Sequence, residues 1–263
     1  MLGPNNLQEE AMGFQIVKYK EEDRVAVIEL IAPVDTRDQL IRLGEEISDC
    51  CQKFKVNDQS LVLVIAEEFP GVLAIENRIG SIGRELSGYM SFSQSIAECE
   101  RPVIIGIRGD ALDLGLEMAL ACDVRISSET SRFGFCAVKD GLMPWNGGTQ
   151  RLSRTVGKSK ALEMILTGEL IDAQEANRIG LVSRLVHAEE VKATAVRLAK
   201  DMASKSGISL NYCKEAILKG MDLTLEQGVR LEADLYFLMH TTHDREEGIK
   251  AFQEKRKPEF LGN

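Results

Sequence analysis

The sequence predicts an α/β protein with a helical C-terminal region. Apolar runs of strand length alternate with amphipathic helical patterns for about 200 residues. Beyond Ser206 almost every segment has the charged, amphipathic pattern of a helix, and we expect no further strand there. We therefore expect a flexible N-terminal tail over residues 1–12, an α/β core over residues 13–205 and a helical region over residues 206–263.

The first part of the core contains three predicted strands and one predicted helix. Phe14–Tyr19 and Arg24–Ile31 lie on either side of a charged turn, which indicates a hairpin. An amphipathic helix is expected from Asp38 to Phe54. The continuous apolar run Ser60–Ala66 predicts a buried strand, and the breaker sequence Phe69-Pro70-Gly71 follows it.

A glycine-containing loop that leads into a helix is the most informative part of the chain. Pro102–Ile107 predicts a buried strand, and residues 109–123, GDALDLGLEMALACD, follow it with a lone acid, Glu117. Backbone N–H groups at such a junction attract developing negative charge, and α/β folds place their sites at the carboxyl ends of strands. The segment therefore predicts an oxyanion hole with a carboxylate nearby.

The same order of elements then repeats. A strand is expected at Asp123–Ser127, followed by a loop through Phe133 and Gly134. The glycine-rich turn Pro144–Thr149 opens another helix.

Composition excludes several classes of protein. The chain has 263 residues, 44% of them hydrophobic, a net charge of -9 and no block of basic residues, so we expect a globular protein that binds no nucleic acid. The six cysteines form no CxxC pair and have no histidine at metal-ligand spacing, which indicates reduced structural thiols and no metal site. The sequence shows no secretion signal and no membrane-length apolar run, so we expect a cytoplasmic protein.

Three stretches resemble the enoyl-CoA hydratase/isomerase, or crotonase, superfamily. They are GDALDLGLEMALACDVRIS, an FG pair followed by GGTQRLSRTVGKSKALEMILTGELIDAQEANRIGLVSRLV, and EEGIKAFQEKRKPEF near the end. The resemblance implies a crotonase-like spiral of ββα turns whose C-terminal helices pack against neighbouring subunits in a trimer or a dimer of trimers. It implies an acyl-CoA thioester substrate, an enolate intermediate and no cofactor beyond the coenzyme A of the substrate.

Positions carried over from the family assign the oxyanion hole. The resemblance implies that the N–H groups of Gly71 and Leu114 bind the thioester oxygen. The family's usual triple glycine is Asp113-Leu114-Gly115 here, and its alanine-glycine-alanine-aspartate segment is GVLA, residues 71–74. Side chains such as Val72 therefore lie where glycine normally lets the substrate approach, and we expect a reshaped pocket.

The family's hydratases divide proton transfer between two glutamates. The resemblance places Glu117 at the first position, where a glutamate activates water, whereas Ala137 stands at the second and cannot transfer a proton. The apolar neighbours of Glu117 favour a buried catalytic acid over a helix-surface carboxylate, and burial would raise its pKa. Asp113 either caps the helix that carries Glu117 or, if it faces the substrate, replaces the missing acid.

Each of the remaining candidate site residues also has an ordinary structural explanation. Trp145 either walls off a ring-shaped or bulky acyl group or is a packing aromatic. His240 and His243 lie one helical turn apart, and we favour a pocket or subunit contact for His240 over metal binding. The resemblance places Lys255 at a CoA phosphate and Tyr236 near the adenine, although a basic helix end is often merely solvated.

The favoured function is hydration or dehydration of an unusual enoyl-CoA, with Glu117 as acid and base. Isomerisation, decarboxylation or C–C cleavage through the same enolate are alternatives, because one oxyanion hole supports all of them. A catalytically silent acyl-CoA-binding scaffold is the alternative from another class, and the acidic balance disfavours RNA binding.

Overall fold

The computed structural model describes residues 14–75 and 92–262, so the expected tail over residues 1–12 lies outside the described residues. The strands of the main sheet are β1 Val17–Glu22, β2 Val25–Leu30, β3 Val62–Glu67, β5 Val103–Ile107, β7 Val124–Ser128 and β10 Arg184–Val186. The short strands of a second sheet are β4 Ala74–Ile75, β6 Ala111–Asp113, β8 Arg132–Gly134 and β9 Ile171–Asp172. The helices are α1 Arg37–Val56, α2 Phe92–Ala97, α3 Leu114–Ala121, α4 Gly148–Val156, α5 Lys158–Thr167, α6 Ala173–Arg178, α7 Val191–Ala203, α8 Gly207–Gly220, α9 Leu225–Met239 and α10 His243–Glu254.

The main sheet has the order β1-β2-β3-β5-β7-β10. β1 and β2 form the predicted antiparallel hairpin, and every other pair in this sheet is parallel. β3 is buried along its whole length, which explains its continuous apolar sequence. Leu63 and Ile65 belong to the core cluster that includes α1 residues, whereas Val62 and Val64 pack with Ala195 of α7 on the other face. Helices thus cover both faces of the sheet.

The second sheet corrects two loop predictions. Residues 111–113 and 132–134 form β6 and β8, which pair in parallel, although both segments were expected to be loops. Each strand is too short for an alternating pattern to appear in the sequence. The order β5-β6-α3 repeats as β7-β8-α4, which confirms the predicted spiral of ββα turns. β6 therefore leads directly into α3 and fixes where that helix begins.

The C-terminal helices expose many apolar side chains. α8 packs against α9. The most exposed apolar side chains of this region are Ile217, Leu225, Phe237, Phe252 and Leu261. Apolar area of this kind suits the predicted subunit interface, which stays a prediction. In the two described ranges, no helix combines the length and apolar character needed to cross a membrane.

Candidate active site

Glu117 lies in the most buried helix of the core. All residues of α3 are buried, and the Glu117 side chain is 0% exposed, so a helix-surface role is wrong. Its Oε1 accepts the backbone N–H of Asn146 at 2.7 Å and that of Gly148 at 2.7 Å. Its Oε2 is buried without a hydrogen-bond partner among the described residues. One oxygen is thus anchored, and the other keeps its capacity to accept a hydrogen bond.

The turn that anchors Glu117 requires its two glycines. Gly147 has a φ of 99°, which favours glycine, and a Cβ at position 148 would lie 2.9 Å from Glu117 Oε1 and 2.9 Å from the Phe135 ring. Arg151 donates to the Asn146 carbonyl at 2.9 Å. This arginine, one turn into α4, therefore stabilises the loop that presents the two N–H groups.

The environment of Glu117 brings its pKa close to neutral pH. Burial raises the pKa of Glu117 to about 7, and the negative charge of Asp113 acts in the same direction. The N–H groups of Gly148 and Asn146 and the charge of Arg151 oppose this rise in pKa. A carboxyl group with a pKa near 7 can both release and accept a proton under physiological conditions.

Asp113 does not cap α3, which corrects one of its two predicted roles. It occupies the N-cap position with φ 42° and ψ -109°, but its side chain makes no capping bond. Instead its buried Oδ1 accepts the backbone N–H of Ala137 at 3.1 Å. The carboxylate thus contacts the backbone of Ala137, the residue at which the resemblance implies a second glutamate. A positive φ is unfavourable for a residue other than glycine, and such strain is common at functional sites.

The predicted oxyanion donors lie on two backbone segments that touch. Gly71 has a φ of 94° in the turn after β3, and a Cβ at Gly109 would lie 2.3 Å from the Gly71 nitrogen. A Cβ at Gly115 would lie 1.8 Å from the Leu73 carbonyl oxygen, so only glycine fits there. Leu114 is the first residue of α3, and its N–H therefore has no acceptor within the helix. Both donor assignments stay predictions.

Glu67 is a buried acid that the sequence reasoning missed. It ends β3, is 0% exposed, and accepts N–H groups from both of the touching segments. One feature of the sequence could have revealed it, namely an acid at the carboxyl end of a continuous apolar strand. A charge buried there is costly unless it is hydrogen-bonded, so the acid needs partners.

The three pocket candidates Val72, Ala137 and Trp145 differ in exposure. Val72 and Ala137 are buried, and Ala137 begins a short 3₁₀ turn. Trp145 is 39% exposed and precedes Asn146, whose N–H binds Glu117. An indole that is exposed to this degree is not a core aromatic, and its role as a pocket wall stays a prediction.

The C-terminal candidates lie away from this group. His240 follows α9 and contacts the Tyr236 ring edge-on, with the ring centroids 4.9 Å apart. His243 begins α10, so the prediction that the two histidines lie one turn apart on one helix is wrong, because the helix breaks between them. Lys255 ends α10 in a left-handed conformation. No hydrogen bond, ion pair or ring contact in the described ranges links these side chains to Glu117, and their predicted roles are untested.

Sequence comparison relates the chain to acyl-CoA enzymes. Residues 81–263 match the family model for enoyl-CoA hydratase/isomerase. The chain is 43% identical over 162 residues to the 2,3-dehydroadipyl-CoA hydratase of Escherichia coli (strain K12), covering 62% of this chain and 64% of that protein. It is 39% identical over 174 residues to the mitochondrial enoyl-CoA hydratase of Pongo abelii, covering 66% of this chain and 60% of that protein. The matched segments cover 59% to 68% of the full length of these and similar relatives.

The fold comparison covers nearly the whole chain. The structure of an enoyl-CoA hydratase subunit I from Geobacillus kaustophilus HTA426 superposes with a TM-score of 0.86 at 31% identity, over 95% of this chain and 99% of that one. The residues matched by the family model include α3 and the turn that binds Glu117. The chain therefore belongs to the enoyl-CoA hydratase/isomerase family.

Proposed function

We propose that this protein catalyses the reversible hydration of an enoyl-CoA thioester. The observation that carries the proposal is the arrangement of Glu117, whose Oε1 is fixed by two backbone N–H groups while its buried Oε2 has no partner among the described residues. A pKa of about 7 suits a group that takes a proton from water in one direction and returns it in the other.

The proposed steps follow from these positions. The N–H groups of Gly71 and Leu114 bind the thioester oxygen. Glu117 removes a proton from water as the hydroxyl adds to Cβ, and the C=C electron pair moves to the thioester oxygen as an enolate. Protonation of Cα collapses the enolate, and the product is a 3-hydroxyacyl-CoA.

Asp113, in its protonated form, is the proposed proton donor to Cα; after each turnover it takes up a proton from solvent, and Glu117 releases the proton that it removed from water. Ala137 cannot take this role, and the Asp113 carboxylate is hydrogen-bonded to the N–H of that same alanine. The charge of ionised Asp113 also raises the pKa of Glu117, which indicates that the two acids lie close enough to interact. Dehydration runs the same steps in reverse.

The proposed substrate has a bulky or cyclic acyl group. Trp145 lies beside the turn that anchors Glu117, where its ring would line such a group, and Val72, which stands where the resemblance implies a glycine, would reshape the pocket. The E. coli relative is named for a dehydroadipyl-CoA, and this name supports an enoyl-CoA substrate class.

The proposed setting is a cytoplasmic trimer or dimer of trimers. The exposed apolar side chains of α8, α9 and α10 support assembly, because so much apolar area is unusual on the surface of a monomer. In this assembly Lys255 and Tyr236 would bind the CoA phosphate and adenine, and His240 would line the pocket.

A second candidate, a silent acyl-CoA-binding scaffold, is favoured by a single observation, the loss of the second glutamate at Ala137. Mass spectrometry in deuterated water separates the two candidates. A panel of enoyl-, 3-hydroxyacyl- and cyclic dienoyl-CoA thioesters is incubated with wild-type protein and with Glu117→Gln. Gain or loss of water that depends on Glu117 supports the hydratase, whereas label exchange alone supports isomerisation or another enolate reaction. Binding without either change supports the scaffold.

A further inference from the structure

We infer that Glu67 is a positioning residue of the oxyanion hole, whose carboxylate fixes the spacing between the turn that carries Gly71 and the segment that leads to Leu114. This inference rests on the proposed function, because it requires a thioester oxygen bound between these two segments.

The Glu67 carboxylate ties the two segments together. Its Oε1 accepts the N–H of Leu73 at 3.0 Å, and the N–H of Val72 also donates to this carboxylate. Its Oε2 accepts the N–H groups of Arg108 at 2.6 Å and Gly109 at 3.1 Å. One side chain therefore satisfies donors from two loops that lie about 35 residues apart in the chain, and it lies between them at the end of β3.

These bonds also decide which N–H groups the turn can present to a ligand. The N–H groups of Val72 and Leu73 donate to Glu67, and that of Ala74 donates to the Gly71 carbonyl at 3.1 Å. The N–H of Gly71 makes no such bond within the described ranges. Because Glu67 accepts the N–H groups of Val72 and Leu73, the Gly71 N–H is the donor of this turn that remains for a ligand.

The site requires a carboxylate rather than an amide of the same shape. A carboxylate is an acceptor at both oxygens, whereas glutamine presents an NH₂ group at one of the two positions. In Glu67→Gln, the NH₂ group of the amide would therefore point at the backbone N–H groups of one loop. Two donors repel each other, so that loop would move away. The close approach of Gly109 to the Gly71 nitrogen means that such a movement changes the distance between the two loops.

The test measures polarisation of a bound thioester carbonyl. The probe is butyryl-CoA labelled with ¹³C at C1, which is saturated and therefore cannot be hydrated. We expect a ¹³C carbonyl shift on binding to wild-type protein and a shift at most half as large on binding to Glu67→Gln. With a hydratable thioester, we expect kcat to fall about 10- to 100-fold, as for weakening of an oxyanion donor, while KM changes less than about threefold.

Glu46→Gln is the matched control. Glu46 is a buried carboxylate that also accepts three backbone N–H groups, from Gln15, Ile16 and Val17, but it joins β1 to α1. A merely structural role of Glu67 predicts the same result for both variants. The inference predicts a comparable loss in thermal stability, with the carbonyl shift altered only in Glu67→Gln.

The outcomes separate this inference from the proposed function. Hydration that depends on Glu117, with an unchanged carbonyl shift and kcat in Glu67→Gln, overturns the inference alone. A carbonyl shift that depends on Glu67, without turnover of any thioester, supports the inference and overturns the hydratase. A wild-type protein that gives no carbonyl shift overturns the inference whatever its turnover. If Glu67→Gln does not fold, Glu67→Asp, which withdraws the carboxylate by one methylene, carries the same prediction.

Discussion

Two buried carboxylates, Glu46 and Glu117, are held by backbone N–H groups in different ways. Glu46 uses both oxygens: Oε1 binds the N–H of Gln15 at 2.8 Å, and Oε2 binds those of Ile16 at 2.9 Å and Val17 at 3.0 Å. Glu117 receives both of its bonds on one oxygen and leaves the other without a partner in the described part of the chain. A fully bonded carboxylate fastens chain segments together, whereas a half-bonded one is fixed in place and still able to react.

The largest expected effect is on turnover, and it separates these two acids. Glu117→Gln should lower kcat for hydration about 1000-fold or more, because the amide cannot accept the proton of water. Glu46→Gln should leave kcat within about twofold and instead lower the free energy of unfolding by about 1–3 kcal/mol, because backbone donors lose their acceptor. Steady-state kinetics and urea unfolding measure both quantities. Equal loss of turnover in the two variants would contradict the comparison.

The stability of the protein should depend on pH through Glu117. Its pKa is raised from 4.5 in the unfolded chain to about 7 in the fold, so the folded state holds its proton more tightly. Stability from this group is present below pH 4.5 and is lost as the pH rises through 7, an effect on the order of 3 kcal/mol. Urea unfolding should therefore show Glu117→Gln gaining stability relative to wild type between pH 4.5 and pH 8. Parallel stability curves would contradict the raised pKa.

A smaller loss of activity is expected at the second acid. Asp113→Asn keeps the shape of the side chain and an oxygen that can accept the Ala137 N–H, so unfolding free energy should change by less than about 1 kcal/mol. Hydration should nevertheless slow about 100-fold, because the amide cannot protonate Cα. Exchange of the Cα proton in deuterated water should fall in parallel. Wild-type turnover in this variant would remove Asp113 from the mechanism.

The smallest expected effect comes from the turn that anchors Glu117. In Gly148→Ala, the new methyl group would lie 2.9 Å from Glu117 Oε1 and from the Phe135 ring, so the carboxylate must shift. We expect kcat to fall about tenfold and unfolding free energy to fall by about 1–3 kcal/mol. Gly220→Ala is the control, because no atom lies within 4 Å of a Cβ at the end of α8. A similar kinetic loss in the control would contradict a local effect on Glu117.

Periodic features of the sequence predicted much of the fold. The hairpin, α1 and the apolar strands β3, β5 and β7 appear where apolar patterning placed them, within a few residues. The three-residue strands β6 and β8 were expected as loops, because they are shorter than the repeat that would reveal them. Their existence depends on pairing with each other, which is a long-range contact.

The chemistry of the site was predictable only where it depends on burial. The apolar neighbours of Glu117 predicted its burial and the direction of its pKa shift. The direction of the Asp113 side chain was not predictable, because its partner lies 24 residues further along the chain. Glu67 was missed for the same reason, since its partners at residues 108 and 109 lie more than 40 residues away.

The positive φ of Asp113 has a consequence for how this lineage can change. With a ψ of -109°, this positive φ of 42° is not the left-handed helical conformation that asparagine often adopts, so glycine is the residue that takes it at lowest cost. Glycine is reached from aspartate by a single nucleotide substitution, and it cannot transfer a proton. The replacement would relieve backbone strain but would leave the Ala137 N–H without its acceptor. On the proposed mechanism, descendants of this sequence that retain the binding site but have lost the reaction are therefore one mutation away, and position 113 is where we would look for them.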